Sequence, residues 1–179
     1  MKYRIKPAEV NNGQCEAIIK GTHHGVLSFS HQDAPYAVPM NHAYENGRFL
    51  FHCAVGGKKI VYIKKTPSVA YTIMKYYGSP EEFQKRHTCH GKWESIIAYG
   101  TAHYIEEPER LKEVFVGFMR YYGKHDYEPK ASSLLDTRAI VMEVESMTAR
   151  RELENKTTEF FEWTRSPKSQ QPNIRGRIE

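Results

Sequence analysis

The stretch Arg48-Phe49-Leu50-Phe51-His52-Cys53-Ala54-Val55-Gly56-Gly57-Lys58-Lys59 decides how the chain is read. It reads as a strand, a glycine turn and the start of a helix. Phe49, Leu50 and Phe51 suit a buried strand. Gly56 and Gly57 let the backbone turn sharply and let a ligand approach it closely. Backbone N–H groups at the following helix start, with Lys58 and Lys59 beside them, attract an anion such as a phosphate. The Walker spacing G-x-x-x-x-G-K-[ST] is not met. Spacing alone therefore leaves two readings open: a phosphate-bearing ligand at this turn, or a strand-to-helix turn with two solvated lysines.

Working back from this stretch, Asn46-Gly47 is a strong hairpin signal and predicts antiparallel pairing of the strands on either side. The earlier of these spans Ala37 to Tyr44 and contains Pro39, which implies an edge, a bulge or a ligand-facing backbone. Gln32 to Pro35 reads as a turn, and His24 to His31 as the first strand. Residues Met1 to Lys6 read as an arm. Pro7 is placed to open a helix that runs to Gly21, with Cys15, Ile18 and Ile19 at helical spacing.

Working forward, Lys58 to Thr66 predicts a short helix that stops before Pro67. Val69 to Tyr76 is a fourth strand. Ser79 to Lys92 is a polar loop or lid. Glu94 to Glu106 is a long fifth strand interrupted by Gly100. Pro108 opens the clearest helix, whose apolar face is Leu111, Val114, Phe115, Phe118, Met119 and Tyr122, and Gly123 ends it. Lys124 to Thr137 reads as a loop. Ala139 to Glu145 is a sixth strand with Ile140, Met142 and Val144 on one face and Glu143 and Glu145 on the other. A charged segment, Arg150 to Thr164, ends in Phe160, Phe161 and Trp163. Six short strands with helices between them predict a mainly β, α+β chain built on an antiparallel barrel or sandwich. The domain spans residues 1–164, and residues 165–179 form a polar, basic tail.

The 179 residues suit one domain. The formal charge is +5, from 26 basic and 21 acidic residues. That mixed surface favours anionic partners without marking a nucleic-acid binder. No apolar run reaches membrane-span length and no signal core follows Met1, so a cytoplasmic, non-membrane protein is expected. Cys15, Cys53 and Cys89 lack framework spacing and read as free thiols. His87-Thr88-Cys89-His90 has no partner pair for a metal and reads as polar loop, so no metal site is expected.

Four segments, in order, carry a family resemblance: Gly25-Val26-Leu27-Ser28, Pro35 to Met40, Phe51 to Lys59, and Trp93 to Gly100. Together they resemble the pyridoxamine-phosphate-oxidase-like flavoproteins, and within that group the nitroimidazole-resistance branch. The resemblance implies a six-stranded split β-barrel. It also implies a homodimer with FMN in a cleft at each subunit interface. Carried over residue by residue, Val38, Pro39, Met40 and Asn41 would lay their backbone along the flavin ring. His52, Cys53 and Ala54 would border the cofactor. Gly57, Lys58 and Lys59 would hold its phosphate, Lys59 foremost, and Ser95 would reach the phosphate or ribityl chain. The chemistry agrees, because a dianionic phosphate needs lysine charge, N–H donors and hydroxyls. FAD or a deazaflavin would use the same features.

The implied activity is that of a flavin-dependent oxidoreductase, with a reduced nicotinamide as donor and a small molecule as acceptor. No catalytic side chain is assigned, since hydride transfer requires no protein base. After Trp163 and Arg165 the chain departs from the Arg-rich substrate motif of pyridoxamine-phosphate oxidases proper. Arg175-Gly176-Arg177 is only a faint echo, so vitamin B6 oxidation is not the expected activity. The alternatives are haem binding or degradation on the same barrel, with His52 or His103 as iron ligand, and a non-catalytic flavin binder. Nucleic-acid binding ranks last.

Overall fold

A computed structural model describes residues 4–5, 9–79, 81, 84, 91–152 and 157–165. In chain order they form β1 (Arg4–Ile5), β2 (Glu9–Val10), α1 (Asn12–Lys20), β3 (His24–His31), β4 (Ala34–Asn41), β5 (Ala43–Glu45), β6 (Arg48–Ala54) and α2 (Lys58–Lys65). Then come β7 (Ser68–Tyr76), β8 (Trp93–Ile105), α3 (Pro108–Tyr121), α4 (Ala131–Asp136), β9 (Thr137–Glu152) and β10 (Thr157–Trp163). The sheet runs β1-β10-β9-β8-β7-β3-β4, with β6 on β9 and β5 on β6. Apart from the parallel pairing of β1 and β2 with β10, every ladder is antiparallel. This is the expected antiparallel α+β split barrel, with more strands than the six expected.

Two turns set its first half. Gln32 and Asp33 both take positive φ, 50° and 60°, as a two-residue type I′ hairpin requires. β3 and β4 meet across it, with His31 opposite Ala34 and His24 opposite Asn41. The closing pair of such a hairpin is hydrogen-bonded, and bonded pairs recur at every second residue. The bonded rows are therefore His31–Ala34, Phe29–Tyr36, Leu27–Val38 and Gly25–Met40. Pro35 and Pro39 fall between them, where the missing N–H faces away from β3. Among the described residues β4 ends the sheet, so both prolines lie on a free edge. The second turn is Asn46-Gly47, with φ of 51° and 74°. It joins β5 to β6, as the dipeptide predicted. The strand expected over Ala37 to Tyr44 is in fact two. It starts earlier, at Ala34, and breaks at His42, whose ring is fully buried.

β9 is the organising strand. One edge pairs with β8 along its length. Its other edge pairs first with β6, up to Glu143 opposite Arg48, and then with β10, from Met147 opposite Trp163. The change of partner coincides with a bulge, where Tyr99 faces Ser146 and Gly100 faces Val144. Bulges of this kind bend a strand and increase its twist. Gly100 is obligatory there, because a Cβ would lie 1.9 Å from the Glu143 carbonyl oxygen.

Inward residues of both halves form one core, including Leu27, Phe49, Phe51, Tyr71, Ile73, Ile96, Ile140, Met142 and Phe161. α1 plugs it with Cys15, Ile18 and Ile19. The helix starts at Asn12, capped by the Asn11 side chain accepting from Gln14 N–H at 3.0 Å, and not at Pro7. Residues Glu9–Val10 are strand because they pair with Phe161–Glu162. α3 covers the outside of β6 and β9 through Leu111 and Phe115, packed on Leu50, Ile105, Ala139 and Val141. Gly123 follows it at φ 81°. The loop expected over Lys124 to Thr137 contains α4. Most of Ser79 to Lys92, including His87 to His90, and the tail from residue 166 lie outside the described residues. Among the described residues no helix is long and apolar enough to cross a membrane.

Candidate functional site

β6 ends at Ala54, and the chain turns through Gly56 and Gly57 into α2. Gly57 takes φ 117°, a region that side-chain-bearing residues avoid. A Cβ at either glycine would meet nothing within 4 Å, so the space above the turn is open. Gly57 occupies the cap position of α2 with no side-chain cap, and the first turn contains no acidic residue. It contains Lys58 and Lys59 instead. Cations at a helix N-terminus oppose the macrodipole, each at a cost of about 0.3–1 kcal/mol. Among the described residues neither lysine has an ion-pair partner. Two unneutralised cations beside uncapped N–H groups form an anion cradle, and a bound phosphate would turn the repulsion into attraction.

The surroundings hold the cradle in place. Lys58 Nζ lies 4.9 Å from the ring centroid of Tyr36 on β4 and 5.4 Å from that of Tyr62 on α2, within cation–π range. Burial pushes the Cys53 thiol up to about 11, outweighing the positive charges of Lys59 and Arg138, which act to lower it. Cys53 packs in the core, where burial favours the neutral thiol. Arg138 sits opposite Cys53 on β9. Its Nη1 donates to the carbonyls of Leu134 (2.9 Å), Leu135 (3.2 Å) and Thr137 (2.9 Å). These tie its guanidinium to the C-terminal end of α4. Nothing in the sequence pattern marks Arg138, Tyr36 or Tyr62, because register and ring stacking bring them here.

His52 and Cys53 point to opposite faces of β6, as strand alternation demands. His52 is outward and exposed, its ring edge-on to Phe118 of α3 at 5.2 Å. Desolvation lowers its pKa. The two side chains do not share one surface.

From Tyr36 the free edge of β4 runs to Asn41, about 17 Å at the usual rise per residue. Val38 and Met40 turn inward against the core, while Pro39 and Asn41 are exposed. The edge rows defined by the hairpin present the Pro39 carbonyl and the Asn41 N–H and C=O outward. The structure thus places Val38, Pro39, Met40 and Asn41 on a strand edge that leads away from Gly57, Lys58 and Lys59. Ser95 does not join them. Tyr104, near the other end of β8, donates to the Val55 carbonyl at 2.9 Å, next to the glycine turn. Ser95 lies nine residues earlier on that strand, opposite Met74 and Arg150.

The family described as pyridoxamine 5′-phosphate oxidase matches residues 11–151. No curated protein matches the chain. Among solved structures it is similar to a candidate 5-nitroimidazole antibiotic resistance protein from Bacteroides thetaiotaomicron. That protein is 23% identical, with 78% of this chain and 82% of the other covered and a TM-score of 0.66. It is also similar to an FAD and haem binding protein from Mycobacterium smegmatis (11% identity, 82% and 73% covered, TM-score 0.67). A third is the flavocytochrome Anf3 from Azotobacter vinelandii (12% identity, 94% and 85% covered, TM-score 0.61). Likeness at these identities concerns the fold.

Proposed function

This chain belongs to the pyridoxamine 5′-phosphate oxidase family, and from that premise we propose that it is an FMN-dependent oxidoreductase. It takes reducing equivalents from a reduced nicotinamide and passes them to a small acceptor such as a nitro-compound, a quinone or oxygen. The observation that carries the reading is the start of α2, where Lys58 and Lys59 stand against the helix dipole with no acidic residue in the first turn and open space above Gly56 and Gly57. A phosphate supplies the missing negative charge.

When bound, a flavin supplies the redox chemistry at its ring. The chain's own residues bind and orient it. Gly57, Lys58 and Lys59 hold the phosphate, with Arg138 adding positive field. The edge of β4 from Val38 to Asn41 lines the ring with outward main-chain groups, and Ala54 and the backbone at His52 and Cys53 border it. Ser95 is too far along β8 to reach the same ligand from the same chain, so it serves the site of a second copy in a homodimer.

The test is a visible spectrum of the purified protein, with FMN added if it is colourless, followed by reduced nicotinamide. Flavin bands that bleach are the expected result. A Soret band would move the protein to haem, and flavin bands that persist would make it a binder. Lys59→Ala should raise the FMN Kd about tenfold to a hundredfold, the usual loss of a charge-assisted hydrogen bond. Riboflavin, which lacks the phosphate, should bind both forms alike. An unchanged FMN Kd removes the phosphate from this turn.

A further inference from the structure

Where β4 ends, three peptide groups are held in place, the first of them from inside the barrel. Tyr71, on β7, extends its ring beneath β3 and donates its hydroxyl proton to the Met40 carbonyl at 2.9 Å. It can do so because residue 25 is glycine: a Cβ there would lie 2.8 Å from Tyr71 Cζ and 2.9 Å from its oxygen. His42 Nδ1 lies 2.8 Å from the same hydroxyl. A tyrosine has one proton to give, and the Met40 carbonyl can only accept. The Met40 contact makes the hydroxyl the acceptor toward His42, so Nδ1 carries the ring's proton; the longer contact of Nε2 with the Ile19 carbonyl, 3.4 Å, would need the other tautomer and is left without a proton. His42 is fully buried, and desolvation holds its pKa down to about 4, so the ring has one N–H to spend. One residue on, His42 N–H donates to the His23 carbonyl at 3.1 Å. Tyr122, just past α3, donates to the His42 carbonyl at 2.7 Å.

These bonds have one geometric result. In a trans peptide the C=O and the following N–H point in opposite directions. Met40 C=O is held inward, so Asn41 N–H points out. His42 N–H is held inward, so Asn41 C=O points out. Asn41 therefore offers a donor and an acceptor, side by side, at the free edge of β4. Such a pair matches a planar ligand edge where an amide N–H adjoins a carbonyl, as in the pyrimidine half of a flavin.

We propose that Tyr71, oriented by His42 and given passage by Gly25, is a positioning residue that presets the Asn41 main-chain pair for the flavin ring. The inference rests on the flavin reading above. Neither Tyr71 nor His42 touches the ligand; they act through the peptide groups on either side of Asn41.

Tyr71→Phe removes the hydroxyl and keeps the ring. Tyr122→Phe, at the surface, loosens the next carbonyl with little risk to the fold. Two readouts apply to the full chain. In the flavin-free protein, the Asn41 amide resonance should shift strongly in Tyr71→Phe and less in Tyr122→Phe. With FMN, Tyr71→Phe should raise the Kd about tenfold and move the bound flavin's absorption bands, while riboflavin binding weakens equally because the phosphate is not involved. Variants that lose thermal stability but keep the parent Asn41 resonance, FMN Kd and flavin bands would make the clasp structural only and overturn the proposal. If the parent binds FMN and Tyr71→Phe binds it equally well, the proposal fails and the flavin reading stands. If the parent binds no flavin at all, the reading fails and takes the proposal with it.

Discussion

A histidine without access to water gives this protein a pH dependence of its own. His42 has a folded pKa of about 4 against 6.5 unfolded. Above pH 6.5 neither state binds the proton and the residue contributes nothing. As pH falls through 6.5 the unfolded chain takes up a proton that the folded one refuses, so stability falls. The expected loss is about 2 kcal/mol by pH 5, approaching about 3 kcal/mol below pH 4. Urea midpoints at pH 7 and pH 5 measure it, and a midpoint that does not move refutes it. Nothing in the sequence marks His42 as special. It sits inside what reads as one continuous strand, and its importance comes from Tyr71, twenty-nine residues away. The turn that carries Gly57, Lys58 and Lys59 was legible for the opposite reason: its shape is set by residues local to it.

Among the elements, those defined by short-range chemistry were read closely. β3 has the expected ends, and α2 stops at Lys65 with Thr66 as its cap before Pro67. The Asn46-Gly47 hairpin forms where its dipeptide places it. The elements that were missed depend on distant partners. β10 looks like a charged segment until Phe161 and Trp163 are paired against Ala149 and Met147. β9 runs past Glu145 because β8 and β10 flank its charged half. Gly100 was visible as an interruption, but its cause, the Glu143 carbonyl pressed against it across the bulge, was not. Gly100→Ala must force β8 and β9 apart and should cost about 3 kcal/mol or more. An alanine variant with the parent's urea midpoint would mean that the bulge has room to give.

For the whole molecule, the antiparallel split barrel and the family followed from four short segments read together. The same segments imply a homodimer, whose interface rests on a surface no single motif describes. The outer face of β3, β7 and β8 exposes Val26, Met74, Tyr76 and Tyr99, and Ser95 lies on it between Met74 and Arg150. If a second copy covers this face and Ser95 completes its partner's site, flavin release should track dissociation on dilution. Sedimentation together with flavin fluorescence over a concentration series would show it. A monomer that keeps its flavin would place the whole site in one chain.

The change of partners along β9 also imposes an order on assembly. β6 waits for residues 137–143, and β1 and β2 wait for residues 157–162, so these three strands are secured only once both segments have been made. During synthesis the first hairpins emerge with their apolar faces uncovered and remain so until the last third of the chain leaves the ribosome. Chains dominated by such remote pairings fold slowly, in milliseconds to seconds. A ribosome that stalls before β9 releases a product in which Phe49 and Phe51 lack the strand that carries Met142 and Ile140, a natural client for chaperones and proteases.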